Sequence, residues 1–446
     1  MKEKLLELIT AEQIDFAVLK EVLSWTNTAD IAEVFNDLEK EKHLQLFRLL
    51  PKSLASDVFS FLAPDEQQII IEGLTDREIG EIINNLFADD AADFIEEMPA
   101  NVVKRVLQTA TPEKRAIINQ LLKYPEESAG SIMTTEYVDL YEDDTVSEAF
   151  DEIRKTGINK ETIYTCYVIK QDRLLVGTTT AKKLLLAQSD QRISEIMNSQ
   201  PIFANTSDDQ ETIADNFKKY GLMTMPVVDN EQRLVGIITV DDIVQVIEEE
   251  ATEDFEKMGA LAPSDDPYLK TSIVRLARNR ILWLMVLMLS ATFTGLIISS
   301  FEQAISVLPV LVAFIPMLMG TGGNAGSQAS TLIIRGMAIG EIDLKDVLRV
   351  LWREIRVASL CGLTLCSINL LRIYIMNGRD IMLAAAVSIT LFGTLVIAKS
   401  IGCLLPILAK KIKIDPAVMA APLITTIVDA ASLVIYFTIA KLFFNI

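Results

Sequence analysis

The sequence predicts a multidomain chain: an α-helical, superhelical N-terminal part, a tandem α/β pair, a long connecting helix, and an all-α membrane part with five transmembrane helices. Three observations predict it. Charge divides sharply along the chain: residues 1–270 hold 26 Lys/Arg and 53 Asp/Glu, a balance of −27, whereas residues 271–446 hold 15 and 8, a balance of +7. A set of landmarks near the middle occurs twice. Five long apolar runs then follow the last charged helix. We place the boundaries at 1–126 for the helical part, 127–250 for the pair, 251–274 for the connecting helix and linker, and 275–446 for the membrane part.

The first part reads as short helices in series, because breaks recur at Pro51, Pro64, Thr75, Ala88, Pro99 and Pro112. Between breaks, apolar residues fall at helical spacing, as in Leu54, Val58, Phe59 and Leu62. Thr111-Pro112 is sound start chemistry, a capping hydroxyl followed by a residue that needs no N–H in the first turn. Units of one length in series stack into a superhelix. The opening MKEKLLELITAEQIDF is charged and amphipathic and lacks the uncharged core of a signal peptide, so this part is expected in the cytosol.

The pair is read from its repeats. Ser131-Ile132-Met133-Thr134 corresponds to Glu195-Ile196-Met197-Asn198, an offset of 64, and Leu175-Val176-Gly177 to Leu234-Val235-Gly236, an offset of 59. The first copy is therefore five residues longer. Each copy runs from a Met-containing turn through strand, helix, strand, turn and strand to a final helix, and the pattern resembles tandem CBS domains, regulatory modules that pair face to face. A helix from Val240 to about Met258 leaves the second copy and leads to a linker with Pro263 and Pro267.

The apolar runs are about Ile281–Ser300, Ile305–Ile334, Val350–Met376, Ile381–Leu408 and Ala417–Phe444, each at least the roughly 20 residues a bilayer requires. Basic residues cluster before the first run (Arg275, Arg278, Arg280), after the second (Arg335, Lys345, Arg349, Arg353, Arg356) and after the fourth (Lys410, Lys411, Lys413). The positive-inside rule then puts the N-terminus of a multi-pass membrane protein in the cytosol and its C-terminus outside.

Asp429 stands alone among apolar residues in the fifth run. A carboxylate at the bilayer centre costs about 3 kcal/mol or more, and acids found there are functional by default. A cation in a watery path compensates that cost; an ion pair with Lys399, in the fourth run, is the structural alternative. Pro422 disturbs the backbone near Met419 and Ala420 and frees a carbonyl, and Thr425 and Thr426 add hydroxyls one turn before the acid. Such oxygens suit a hard cation met through its waters, because magnesium sheds inner water reluctantly. In the second run GTGGNAGSQAS offers Asn324, Ser327 and Gln328 as path-lining groups, while its glycines read as a close-packing helix face. No GK[ST] ending makes it a phosphate loop.

The acidic part repels nucleic acid and concentrates cations. With one histidine and no CxxC pair, a zinc or redox site is not expected, and no nucleophile–base constellation supports an enzyme. ADDAADFIEEMP places Asp89 and Asp93 four apart on one helix face, where first-turn capping is the plain alternative. VDDIVQVIEEEATED supplies Asp242, Glu250, Glu253 and Asp254, for which a solvated acidic face is the plain alternative. Thr239 to Asp242 also has the T-x-x-D spacing with which some CBS domains hold adenosine ribose, so ATP or another adenine nucleotide is a candidate ligand.

GTGGNAGSQASTLIIR and IDPAVMAAPLITTIVDAASLVIYF resemble the membrane signature of MgtE magnesium channels, and the upstream order of helical domain, CBS pair and connecting helix matches as well. The resemblance covers essentially the whole chain. It implies magnesium as cargo, a homodimer in the bilayer with the pore on its two-fold axis, and cytosolic Mg2+ sites that lock the pore shut. It assigns Asp429 as the pore acid, with Ala420, Ala421, Thr425 and Asn324 lining or packing around the path. Asp415 falls at the cytosolic mouth, and Asp89, Asp93, Asp242, Glu250, Glu253 and Asp254 become regulatory ligands. Gln245 and Gly221 stand where members often carry Asp, and Ala421 where some carry a polar residue or glycine. The rival readings are a CBS-regulated transporter of Mn2+, Co2+ or an osmolyte, and a membrane-tethered nucleotide sensor.

Overall fold

Helix starts in the N-terminal part follow the chain's own capping chemistry. Thr75 and Glu78 form a reciprocal box, with the Glu78 carboxylate accepting from the Thr75 N–H at 2.8 Å. Thr111 accepts from the Lys114 N–H just ahead of Pro112. The computed structural model describes residues 2–10, 15–264, 268–269, 271–378, 380–419 and 421–445. It divides into two compact units, Met1–Ile247 and Glu248–Ile446.

The first unit opens with helices α1 (Lys2–Thr10), α2 (Phe16–Trp25), α3 (Thr28–Asn36), α4 (Lys40–Leu49), α5 (Lys52–Ser60), α6 (Pro64–Gly73), α7 (Asp76–Asn85), α8 (Ala88–Glu96), α9 (Ala100–Thr109) and α10 (Pro112–Leu121). Packing skips one element: α1 lies on α3, α3 on α5, α5 on α7, and α7 on α9, with α4 on α6 and α8 on α10. Alternate helices therefore share a core, and Phe47, Phe59 and Phe94 stack edge to face along it.

The α/β pair contains two three-stranded sheets, β1 (Asp139–Tyr141), β2 (Thr165–Ile169) and β3 (Leu175–Thr180), then β4 (Ala204–Asn205), β5 (Thr224–Val228) and β6 (Leu234–Thr239). In each, the first pair is parallel and the second antiparallel, with a bulge at the same place, Val168/Ile169 and Val227/Val228. Helices α11 (Val146–Thr156), α12 (Ala181–Leu186), α13 (Ile193–Ile196) and α14 (Gln210–Tyr220) connect them. The copies interlock: Thr134 of the first bridges Ile237 of β6, and Asn198 of the second bridges Thr178 of β3. A Cβ on Gly236 would stand 2.5 Å from Met133 Sδ, and one on Gly177 2.7 Å from Met197 Sδ. The Met-turn and the glycine, separate landmarks in the sequence, are thus two sides of one contact made reciprocally. The loop from α11 to β2 spans Gly157–Tyr164, whereas α14 reaches β5 through Gly221–Met223.

From β6 the chain enters α15 (Val240–Met258), with the bounds the sequence predicts. In the second unit, α16 (Ile273–Ser300) begins eight residues before the expected span. The expected second span from Ile305 is broken: α17 (Glu302–Val307) stops before Pro309, a 3-10 turn covers Pro309–Phe314, and α18 runs Ile315–Ala338. Proline at 309 lacks the N–H that would continue the helix. Then come α19 (Val347–Met376), α20 (Ile381–Lys411), a 3-10 turn at Pro416–Met419, and α21 (Ala421–Phe444). Counting the 3-10 turns that lead into them, five segments among the described residues are long and apolar enough to cross a membrane. Helix α18 packs on α20 and α21, α19 on α20, and α16 on α21, around Leu318, Leu391, Leu395, Ile424, Val428 and Phe437.

Candidate functional site

Glycines set the distances in the membrane unit. A Cβ on Gly322 would meet Thr394, Val428 and Ser432, and one on Gly326 would meet Ile424 and the Ala398 carbonyl. At Gly402 it would collide with the Gly326 carbonyl, so α18 and α20 cross backbone to backbone. The glycine run is a close-packing face, one of the two readings the sequence allows.

Half-buried Asp429 faces this helix, its Oδ1 3.8 Å from where a Gly323 Cβ would stand. Thr425, one turn earlier, also abuts Gly323. The backbone before Asp429 is interrupted as Pro422 requires, but the freed Met419 carbonyl is taken: Ser330 Oγ donates to it at 3.3 Å. The Thr425 and Thr426 hydroxyls donate to the Pro422 carbonyl at 2.9 and 3.1 Å, which leaves their oxygen lone pairs for other partners. Ala420 and the side chain of Ala421 lie outside the described residues. Asn324 is exposed, in line with exposed Gly320 and Gln328 at i±4, a stripe without apolar cover on a membrane helix.

Lys399 is committed elsewhere. Its Nζ lies 3.6 Å from Glu354 Oε2 on α19, both side chains nearly buried. Among the described residues, Asp429 has neither a hydrogen-bond partner nor a salt-bridge partner, so the structural alternative of an Asp429–Lys399 pair is set aside. Glu354 escaped the sequence reading because it sits among Arg353 and Arg356 at the end of a basic stretch.

In the first unit, acids gather around the start of α8. Asp89 is buried, and its Oδ1 has no hydrogen-bond partner. Burial first, then Asp242, Asp90 and Glu161, raise its pKa well above the usual carboxylate range. Asp90 is pushed up to about 6 by burial and by Asp242, against a downward pull from Lys114. Asp242 also reaches about 6, mainly by burial, although Thr239 Oγ1 donates to its Oδ2 at 2.6 Å. Glu161, whose Oε2 is likewise buried without a hydrogen-bond partner, is raised to about 8 by burial, Asp241, Asp242 and Asp90. Asp93 departs from the expected shared face: it is exposed while Asp89 is buried. Asp89 instead meets acids from β6–α15 and from the Gly157–Tyr164 loop. Like charges brought together and partly out of water repel one another, which adds to the cost of ionising each of them. Among the described residues no three acids, histidines or cysteines stand close enough to hold a bare ion directly. Carboxylates spaced more widely fit a hydrated divalent cation, and two unpartnered buried oxygens ask for a donor or an ion.

In the second unit, half-buried Glu250, Glu253 and Asp254 continue along α15. Lys257 Nζ lies 2.7 Å from Glu253 and 2.7 Å from Asp415, so Asp415 sits against the connecting helix. Burial pulls the Lys257 ammonium down, and its bonds to Asp415 and Glu253 outweigh that and leave it above its ordinary range. Asp254 is raised by burial and by Asp415.

Residues 315–439 match the family model MgtE, a divalent cation transporter, 26–127 match the MgtE intracellular N domain, and 129–190 and 193–249 match the CBS domain. The magnesium transporter MgtE of Thermus thermophilus is 36% identical over 432 residues, 96% of this chain and 95% of that protein. The chain belongs to the MgtE family. The MgtE of Bacillus subtilis is 31% identical over 93% of the chain and 92% of its own length. Among solved structures, the cytosolic domain of the Mg2+ channel MgtE in complex with ATP aligns with 36% identity and a TM-score of 0.50, covering 52% of this chain and 95% of that one. The soluble part of a magnesium transporter aligns with 27% identity and a TM-score of 0.52, over 56% and 98%. With five apolar segments, this MgtE-family chain is a multi-pass membrane protein. Its Gly221 ends α14 at φ +62°, a left-handed turn that favours glycine.

Proposed function

We propose that this chain is a magnesium-selective channel that admits Mg2+ across a bacterial inner membrane, driven by the membrane potential, and that Mg2+ bound to its acidic cytosolic residues holds it shut. The observation that carries the reading is Asp429: an intramembrane carboxylate beside a glycine, with the candidate counter-charge read from the sequence, Lys399, engaged by Glu354. A cation passing in water is the compensation left to it. The exposed Gly320–Asn324–Gln328 stripe supports a homodimer, because polar groups on a span need water or protein rather than acyl chains. Two stripes facing across a two-fold axis would line a polar path for a hydrated ion, with Thr425 and Asp429 of each copy beside it.

The gate follows from the charge. Asp89, Asp90, Asp242 and Glu161 repel when no cation is present and draw together around one, and Asp93, Glu250, Glu253, Asp254 and Asp415 are further ligands for cytosolic Mg2+. Cytosolic Mg2+ then closes the channel when enough has entered. The N-terminus lies in the cytosol and the C-terminus outside. The ATP bound by a relative's cytosolic domain and the Thr239–Asp242 hydrogen bond support an adenine nucleotide at the CBS pair. Names of relatives support magnesium over Mn2+ or Co2+ as cargo. The deciding experiment is Mg2+ flux into proteoliposomes: Asp429→Ala abolishes it while the dimer still assembles. Undiminished flux in that variant removes the pore assignment, and equal flux of an osmolyte removes the cargo.

A further inference from the structure

Where the connecting helix meets the membrane part, a lysine stands among the acids. Lys257 belongs to the last turn of α15, and its Nζ lies 2.7 Å from Glu253 Oε1 and 2.7 Å from Asp415 Oδ2. The first contact alone means little, because exposed i,i+4 pairs stabilise a helix only marginally. The second joins the helix to a segment far along the chain, and the side chains of Lys257, Glu253 and Asp415 are only 22%, 31% and 34% exposed. Asp254 lies within the field of all three. Glu256, the remaining acid of this turn, accepts from the Ser264 N–H at 2.8 Å. Asp415 uses both of its oxygens. Its Oδ1 accepts from Ala417 N at 2.8 Å and holds the start of the 3-10 turn Pro416–Met419, while Oδ2 takes Lys257. Ser330 of α18 donates to the Met419 carbonyl at the end of that turn, which leads into the helix bearing Asp429. One carboxylate therefore ties the connecting helix to the break ahead of α21.

Three carboxylates around one ammonium leave two net negative charges, the complement of a single divalent cation. An ion arriving here finds an oxygen of Glu253 and an oxygen of Asp415 already bonded, so it must displace the ammonium from them. We propose that Lys257 is a tethered competitor of Mg2+: its ammonium occupies Glu253 and Asp415, and so raises the cytosolic Mg2+ concentration needed to hold the connecting helix on the membrane part. This rests on the reading that Glu253, Asp254 and Asp415 take Mg2+. Lysine suits the role, since a compact charge on a flexible stem can swing aside without moving the backbone and return when the ion leaves. Removing the ammonium acts twice in the same direction. It frees two oxygens, and it makes the surroundings of the ion more negative.

The test is hydrogen exchange of the purified full-length protein in detergent, read by mass spectrometry over residues 248–262 across a MgCl2 titration. The internal Mg2+ concentration that half-closes flux in proteoliposomes is measured beside it. In wild type, Mg2+ is expected to protect the segment. Lys257→Met lowers both midpoints about tenfold, a fraction of what an opposite charge at hydrogen-bond distance exerts before water screens it. Lys257→Arg keeps both near wild type. In Lys257→Met/Asp415→Asn the downward shift is lost, because the lysine acts through that carboxylate. Exchange over α20 reports whether each variant is folded; should Lys257→Met lose that protection, Lys257→Gln carries the same expectation. A midpoint equal to or above wild type in the folded variant overturns the proposal and leaves the Mg2+ reading standing. A wild-type segment whose exchange ignores Mg2+ overturns both.

Discussion

Lys399 and Glu354 decide whether Asp429 is free for a cation, so their pairing is the first thing to break. The two charged atoms are 3.6 Å apart, with side chains only 8% and 12% exposed. At an effective dielectric near 20 the attraction is about 4–5 kcal/mol, most of it offset by the cost of taking both groups from water. The net value of the pair is therefore small, but the cost of orphaning one member is about 3–5 kcal/mol. Lys399→Met and Glu354→Met should each lower the unfolding temperature in detergent by about 10 °C, taking a few degrees per kcal/mol for a unit of this size. The double variant should recover more than half of that loss. Fluorescence-monitored melting of detergent-solubilised dimers, followed by size exclusion, reads both numbers. Losses that simply add in the double variant would show that the charges are not coupled, and Lys399 would again be available to Asp429.

Three further outcomes follow from contacts described above. Gly402→Ala forces a methyl group onto the Gly326 carbonyl and should abolish recovery of folded protein, while Gly320→Ala, with nothing within 4 Å of the added carbon, should be tolerated; equal yields of the two variants would contradict the crossing. Without divalent ions, acid should close the cytosolic part: Asp90 and Asp242 carry pKa values of about 6 and Glu161 about 8. All three lie above their ordinary values, so the docked arrangement is fully stable below those ordinary values and loses stability as pH rises through 6 and then 8. Protease resistance in chelator should thus increase from pH 8 to pH 6, and with limiting Mg2+ the sign reverses because protons compete for the same oxygens; a flat profile in chelator counts against the buried acids. Thr239→Val removes the 2.6 Å bond to Asp242 and should weaken ATP binding by about tenfold, measured by calorimetry on the full-length protein; unchanged binding places the nucleotide elsewhere.

The architecture was legible because each part announces itself locally. Apolar runs of bilayer length, helix starts at Pro64 and Pro112, and the span Val240–Met258 are all set by neighbours within a few residues. The repeat was legible for a different reason: Met133 and Gly236 must fit one another, and so must Met197 and Gly177, which fixes the same residues twice. The acidic site was half legible. Helical spacing paired Asp89 with Asp93, but α8 is short and buried along one side, so Asp89 turns inward to acids far along the chain while Asp93 stays outside. Glu161, Lys114 and Glu136 carry no local mark. Lys114 is an ordinary lysine by sequence, one position after Glu113 in a first turn, and only its approach to Leu86 and Glu136 brings its charge to bear on Asp90. Lys257 and Glu354 likewise take their meaning from partners on other helices.

The duplicated halves are not interchangeable, and the difference between them is concentrated. Nine positions separate Thr156 from Thr165 in the earlier half and four separate Tyr220 from Thr224 in the later one, which accounts for the five-residue excess between the two offsets. That excess is the stretch that delivers Glu161 to Asp90 and Asp242. A scaffold made by doubling one motif thus holds its novelty in a single lengthened connection, and shortening it to match its twin would leave both sheets whole while withdrawing one carboxylate from the acidic cluster.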